Sequence, residues 1–319
     1  MFEQFRYVTL DVTMTAQAAA QLPPYKGSTI RGAFGHAFRR AACPFRACPP
    51  CLVPKTCPYT YIFETPPRDA VGLFARNSAV PHPFVLELPV DDRTEFDPGD
   101  QMTFGLVLVG RAIDFVPYFV VALREMGQAG LGRGRARWHL DKIEDLVPGG
   151  KRLLYDGATE DERLVCSATI RRGVEGNSGA DGIGGQASLR FETPTRLRFS
   201  GHLTGNPEFH VLIRNLLRRL SALATYHCDF ALEMDHKDLI RKAEAVATSR
   251  ADLKWVDWER YSARQDARMS LGGFVGTIIF EGDMAPFIPF LRLGEVVHVG
   301  KGTAFGLGKY TIADREVRT

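Results

Sequence analysis

The chain has 319 residues, 45% of them apolar and 24% charged, with a formal net charge of +3. That balance is ordinary for a globular protein and supplies apolar material for one large core or two smaller ones. No run approaches the roughly 20 apolar residues of a membrane span, and the first residues lack a secretory pattern, so a cytoplasmic protein with no membrane partner is expected. The positive excess is local: Lys and Arg outnumber acids in residues 31–55, in 133–137 and from 301 onward. Such patches matter more than the total for binding phosphate.

Residues 5–13 alternate and are rich in β-formers, which predicts a first strand, and Pro23-Pro24 then breaks the chain. Residues 28–42 place Ile30, Ala33, Phe34, Ala37, Phe38 and Ala41 at helical spacing, with Arg31, Arg39 and Arg40 on the other face. Strands are expected at 84–88 and 102–109 and a helix at 115–126. A Gly/Arg turn over 130–135 leads into a strand at 136–143. The Gly-rich stretch 173–186 reads as a linker. Beyond it come a long strand at 187–199, an amphipathic helix at 207–226, a shorter helix at 239–247, a strand at 273–280, a helix at 284–293 and a last strand at 309–312. Each half therefore closes with strand, helix, Gly-rich basic loop and strand. The echo predicts an α+β protein of two ferredoxin-like (RRM-like, βαββαβ) domains in tandem, residues 1–172 and 187–319.

Four of the six cysteines form Cys43-x4-Cys48-x2-Cys51-x5-Cys57 among five prolines. In a chain without a secretory signal such a cluster points to metal, not to disulfides. Four thiolates fill a tetrahedral site, so a structural zinc is expected, with an iron–sulfur cluster as the alternative. Arg133 and Arg135, beside Gly132 and Gly134, are candidates for contact with an RNA backbone. Arg214, Arg218 and Arg219 line one helix face and read either as solvated or as RNA contacts. The segment Gly300-Lys301-Gly302-Thr303-Ala304-Phe305-Gly306-Leu307-Gly308-Lys309 is either an anion-binding concavity of backbone N–H groups or a tight turn against a sheet. It matches no Walker loop.

The run from Gly294 to Tyr310, with the upstream Tyr261–Gln265 stretch that carries Arg264 and the segment Leu271-Gly272-Gly273-Phe274-Val275-Gly276, resembles the CRISPR repeat-RNA processing endoribonucleases of the RAMP superfamily. Arg31-Gly32-Ala33-Phe34-Gly35, the four cysteines and Tyr61-Ile62-Phe63-Glu64 resemble a cysteine-bearing branch of that family. The resemblance implies binding of CRISPR repeat RNA (pre-crRNA) and cleavage by attack of a 2′-hydroxyl on the adjacent phosphate. That reaction uses no catalytic metal and leaves a 2′,3′-cyclic phosphate and a 5′-hydroxyl. It further implies a base near the 2′-OH, an acid near the leaving oxygen and cations on the phosphorane. On this reading His36 is the first catalytic candidate, with Tyr25 or Lys26 as its partner and Arg31 or Arg39 on phosphate. RNA contacts are expected from Arg133, Arg135, Arg264, Gly300, Lys301, Gly302, Thr303, Phe305, Gly306, Gly308 and Lys309. His298 is the second candidate, or else a brace for the loop. The alternative function is a non-catalytic RAMP subunit that holds guide RNA among other effector subunits.

Overall fold

The computed structural model describes residues 1–43, 56–65, 80–158, 163–164, 168, 170–172, 185–257, 259–262, 267–270 and 272–313. By contacts the chain divides into two units. One holds Arg6–Arg171 together with Tyr226–Cys228, and the other holds Met1–Phe5, Arg172–Thr225 and Asp229–Thr319. Met1–Phe5 belong to the second unit because Phe2 meets Phe290 edge-on at 5.3 Å between ring centroids.

In the first unit, alternation along β1 (Arg6–Ala16) buries Val8, Leu10, Val12 and Met14. α1 (Gly27–Ala42) buries Ile30, Phe34, Ala37 and Phe38 at the spacing of one helix face. α2 (Pro58–Phe63) adds Phe63 to that core. β2 (Phe84–Glu87), β3 (Gln101–Val109), α3 (Val116–Ala129), β4 (Trp138–Val147) and β5 (Gly150–Asp156) follow. The sheet is antiparallel with neighbours in the order β2-β3-β1-β4-β5. Phe34 is its aromatic hub, with ring centroids 5.7 Å from Phe38, 5.9 Å from Phe63, 6.0 Å from Phe84 and 5.4 Å from Phe119.

The second unit runs β6 (Gln186–Thr195), α4 (Phe209–His227), α5 (His236–Glu244), β7 (Ala247–Val256), β8 (Gly273–Glu281), α6 (Ile288–Val297) and β9 (Tyr310–Ala313). Its sheet order is β7-β8-β6-β9. The last turn of α4 falls in the first unit, where His227 accepts from or donates to Tyr61 Oη at 2.9 Å through Nδ1 and donates from Nε2 to the Pro81 carbonyl at 2.8 Å. Counting strands within each unit, both sheets read 2-3-1-4 with helices after strands one and three. That is the ferredoxin-like arrangement expected for an α+β protein of two such domains.

Several elements differ from their sequence-based expectation. The strand expected over 187–199 ends at Thr195, after a register shift against β8 between Phe191 and Thr195. Leu197–Phe199 instead pairs with His202–Thr204 in its own hairpin. Ser200 and Gly201, at φ 47° and 89°, supply the positive-φ turn that such a two-residue loop demands. β7 was not anticipated because it is an edge strand, exposed along most of its length, and lacks an apolar alternation. The helix expected over 239–247 is α5 and ends before it. Asp235 starts α5 by accepting from the Lys237 and Asp238 amides, each at 3.0 Å. The helix expected over 284–293 begins later, as α6, after a 3-10 turn at Ala285–Phe287. Pro289 fits only in the first turn of a helix. β4 starts at Trp138 and not at 136, because Ala136 still belongs to the preceding loop through its bridge to Leu131. β5 also escaped the sequence reading. The expected linker, residues 173–186, lies almost wholly outside the described residues. Among the described residues no helix is long and apolar enough to cross a membrane.

Phe34→Ala removes the ring shared by four neighbours, and about 3–5 kcal/mol of stability should be lost. Urea denaturation followed by circular dichroism would measure it, and a loss under 1 kcal/mol would show that Phe34 does not organise this core.

Candidate nucleic-acid interface

The end of α6 determines the geometry of the glycine loop. His298 follows Val297 at φ 61°, a conformation rare for a residue with a side chain. Gly300, Gly302, Gly306 and Gly308 then take φ of 82°, 81°, 88° and 76°. Two positions show why glycine is required. A Cβ on Gly308 would overlap the Val299 carbonyl, and one on Gly300 would lie 2.6 Å from the Arg196 carbonyl oxygen.

The loop is tied down mainly through its backbone. The Val299 amide donates to the Gly308 carbonyl at 3.0 Å, Lys301 N to Arg196 O at 3.2 Å, and Gly308 N to Pro194 O at 3.2 Å. Buried Thr193 bridges two strands of the loop: its hydroxyl donates to Gly306 O at 2.8 Å and accepts from Lys309 N at 2.9 Å. His298 is fully buried and donates from Nδ1 to the Leu307 carbonyl at 3.1 Å, so it braces the loop from beneath. Arg219, on α4, donates from Nε to the carbonyls of Val297 at 2.9 Å and His298 at 3.1 Å. It was expected either in solvent or on RNA, but it is buried. Burial pushes its pKa down to about 9, which leaves it charged at neutral pH.

Around this scaffold the field is positive. Lys301 is exposed. Partial burial, and then the nearby Arg198, Arg196 and Arg218, hold its pKa below the usual lysine value. Among the described residues Lys301, Arg198 and Arg218 pair with no carboxylate, so their charge is available to an anion. Lys309 is less so, lying 3.9 Å from Glu192, and Thr303 is buried.

The first unit presents a second basic region. His36 is exposed on α1 and forms no hydrogen bond or ion pair among the described residues. Arg39 and Arg40 lie three and four positions on, the spacing that places side chains side by side on a helix. Gly32, one turn before His36, leaves open space where a side chain would stand. The expected partners do not join this group. Lys26 is fully buried at the start of α1, its Nζ 2.6 Å from Asp91 Oδ1, and ten residues separate it from His36, about 15 Å along a helix. Tyr25 is half-buried and lies one residue further away. Arg31 turns inward, its guanidinium 4.5 Å from the Phe63 ring and 5.5 Å from Phe84, and Arg39 sits 5.8 Å from the Tyr59 ring. Arg133 and Arg135 are exposed on their Gly-rich turn. Arg133 borders an open groove of about 490 Å³ between residues 21–24, Thr29 and Thr94.

Cys43 and Cys57 flank a segment in which Cys48 and Cys51 lie outside the described residues, as does Arg264. Among the described residues no group of three or more His, Cys, Asp or Glu side chains is arranged to hold a metal. The sequence reading missed Arg196, in the break between β6 and the hairpin, and Arg198, inside the hairpin; their only signal was their position near the end of the expected strand.

Comparison with known proteins matches residues 5–167, half of the chain, to the model described as the AF_1859_N N-terminal domain, and residues 189–310 to the CRISPR-associated endoribonuclease Cas6. An uncharacterized protein of Archaeoglobus fulgidus is 27% identical over 309 residues, covering 91% of this chain and 92% of that protein. Among solved structures, a Cas6 product complex aligns with 96% of this chain and 100% of its own at 16% identity and a TM-score of 0.58. Thermus thermophilus Cas6 aligns with 97% and 99% at 15% identity and 0.51. A partial Cas6-RT-Cas1–Cas2 complex aligns with 98% of this chain and 47% of its own at 14% identity and 0.56. At these identities the structural likeness concerns the fold.

Thr193→Val should cost about 1–3 kcal/mol, because it strands a buried amide and a carbonyl that now share one hydroxyl. Thermal melting would read the loss, and an unchanged melting temperature would show that the loop does not depend on Thr193.

Proposed function

Because this chain belongs to the Cas6-like family marked by the AF_1859_N N-terminal domain, with a Cas6 domain behind it, we propose that it binds CRISPR repeat RNA and cuts it to guide RNA without a catalytic metal. The observation that carries this reading is the set of unneutralised cations, Lys301, Arg198 and Arg218, around a loop whose backbone comes unusually close to its surroundings. Phosphate is the ligand such a surface selects.

In the proposed reaction the 2′-hydroxyl attacks the adjacent phosphorus, the bond to the 5′-oxygen breaks, and a 2′,3′-cyclic phosphate and a 5′-hydroxyl result. The 2′-OH is also what distinguishes RNA from DNA at the cut. His36 is solvent-exposed and carries an imidazole able to take or give a proton, and Arg39 and Arg40 stand one turn away to take phosphorane charge. Lys26 has a structural part here, fixing the start of α1 to Asp91. Cys43, Cys48, Cys51 and Cys57 form a donor set whose chemistry fits a structural zinc between α1 and α2. Other CRISPR effector subunits are the natural protein partners of such an activity.

A cleavage assay tests the reading. Labelled repeat RNA is incubated with the protein in excess EDTA, beside a substrate with one 2′-deoxy at the cut. Cleavage should persist in EDTA and vanish with the 2′-deoxy substrate. His36→Ala should slow cleavage by about 10²–10⁴-fold, the range of a lost general acid or base. Tight binding without any cleavage would instead make the protein a non-catalytic RNA-holding subunit.

A further inference from the structure

The hairpin Leu197–Phe199 and His202–Thr204 follows β6 directly and leads back toward α4. It has features beyond those of a simple connection. Asn215 on α4 grips it at Arg198: its Oδ1 accepts from the Arg198 amide at 3.3 Å, and its Nδ2 donates to the Arg198 carbonyl at 3.1 Å. Arg198 Nε donates to Gly201 O at 2.8 Å across the turn, which holds the guanidinium over the tip. The hairpin is thus pinned and its side chains are preorganised.

Phe199 is 42% exposed, unusual for a phenyl ring in a protein whose other phenylalanines largely fill cores. It is nonetheless held in place. His210 meets its ring edge-on at 5.2 Å between centroids. Both His210 nitrogens are occupied: Nε2 faces Glu208 Oε2 at 3.1 Å and Nδ1 accepts from Arg214 Nε at 3.2 Å. Arg214 is anchored in turn on Glu244 at 2.8 Å. His210, Arg214 and Arg218 recur every fourth residue, so they form one stripe of α4. The stripe runs about 12 Å along the helix from His210, which braces the phenyl ring, to Arg218, near Lys301. A rigid aromatic face near Arg198, Arg218 and Lys301, which pair with no carboxylate among the described residues, is the combination that binds single-stranded nucleic acid, the cations taking phosphates and the ring taking a base.

We propose that Phe199 is the stacking platform for an unpaired nucleobase of bound RNA, with flanking phosphates on Arg198, Arg218 and Lys301. This rests on the RNA-binding reading above and adds to it a subsite for a single-stranded nucleotide. Phe199 makes no bond to the backbone of the glycine loop, so it acts on recognition and not on the loop's geometry.

The test uses full-length protein and two labelled 12-nucleotide probes, an all-adenosine RNA and an abasic RNA of the same length, by fluorescence anisotropy. The wild type should bind the adenosine probe more tightly than the abasic one. Phe199→Ala should lose about 5- to 100-fold on the adenosine probe, with little change on the abasic one, while Phe199→Trp keeps the preference and shows that the hairpin is intact. Lys301→Ala should weaken both probes and flatten the salt dependence by about one phosphate contact. Equal binding of both probes by wild type and Phe199→Ala, or an equal loss on both in Phe199→Ala, would overturn the stacking role while leaving RNA binding in place. If the wild type binds neither probe nor repeat RNA, the RNA reading itself fails, and the stacking role with it.

Discussion

A buried guanidinium underlies the C-terminal site. The last carbonyls of a helix have no partner within it, and at the end of α6 Arg219 satisfies two of them from a neighbouring helix. That anchor lets the chain leave α6 through His298 in a conformation that would otherwise cost free energy, and the four left-handed glycines follow from that exit direction. Charge burial is costly without compensation. Here carbonyl dipoles provide it, so the positive charge is not cancelled and adds to the field beneath Lys301.

The two units use one topology for different ends. In each, a Gly-rich turn joins the helix after the third strand to the fourth strand: Gly130, Gly132 and Gly134 in the first, Gly300, Gly302, Gly306 and Gly308 in the second, all at positive φ, as are Arg135 and His298 beside them. In the first unit the turn clips to Gln21 and leaves Arg133 and Arg135 in solvent. In the second it is held by the side chains of Thr193 on β6, Arg219 on α4 and His298 just after α6. The same connection thus carries exposed arginines in one unit and is pinned beneath by buried side chains in the other.

Much of this was readable in the residues. Apolar spacing located α1, α3 and α4, and the order of elements predicted both ferredoxin-like sheets. The elements that were missed have physical reasons. β7 has no buried face to impose a pattern, and the hairpin continues the alternation of apolar residues set by β6, so its change of partner leaves no mark in the sequence. The glycine loop stood out because four glycines in nine residues have few other uses, yet its supports, Thr193 and Arg219, look like ordinary strand and helix residues. Tyr25, Lys26 and His36 are near in sequence but are separated by nearly three turns of α1, which spacing along a chain cannot reveal until the helix is counted out.

The hairpin after β6 has a further consequence for how such proteins diverge. Its base is clamped by Asn215 and its strands carry no core residue beyond Leu197. The tip at Ser200 and Gly201 can therefore lengthen, shorten or change its residues without disturbing either sheet. Related chains can therefore vary the length and composition of this one exposed tip while the scaffold beneath stays unchanged.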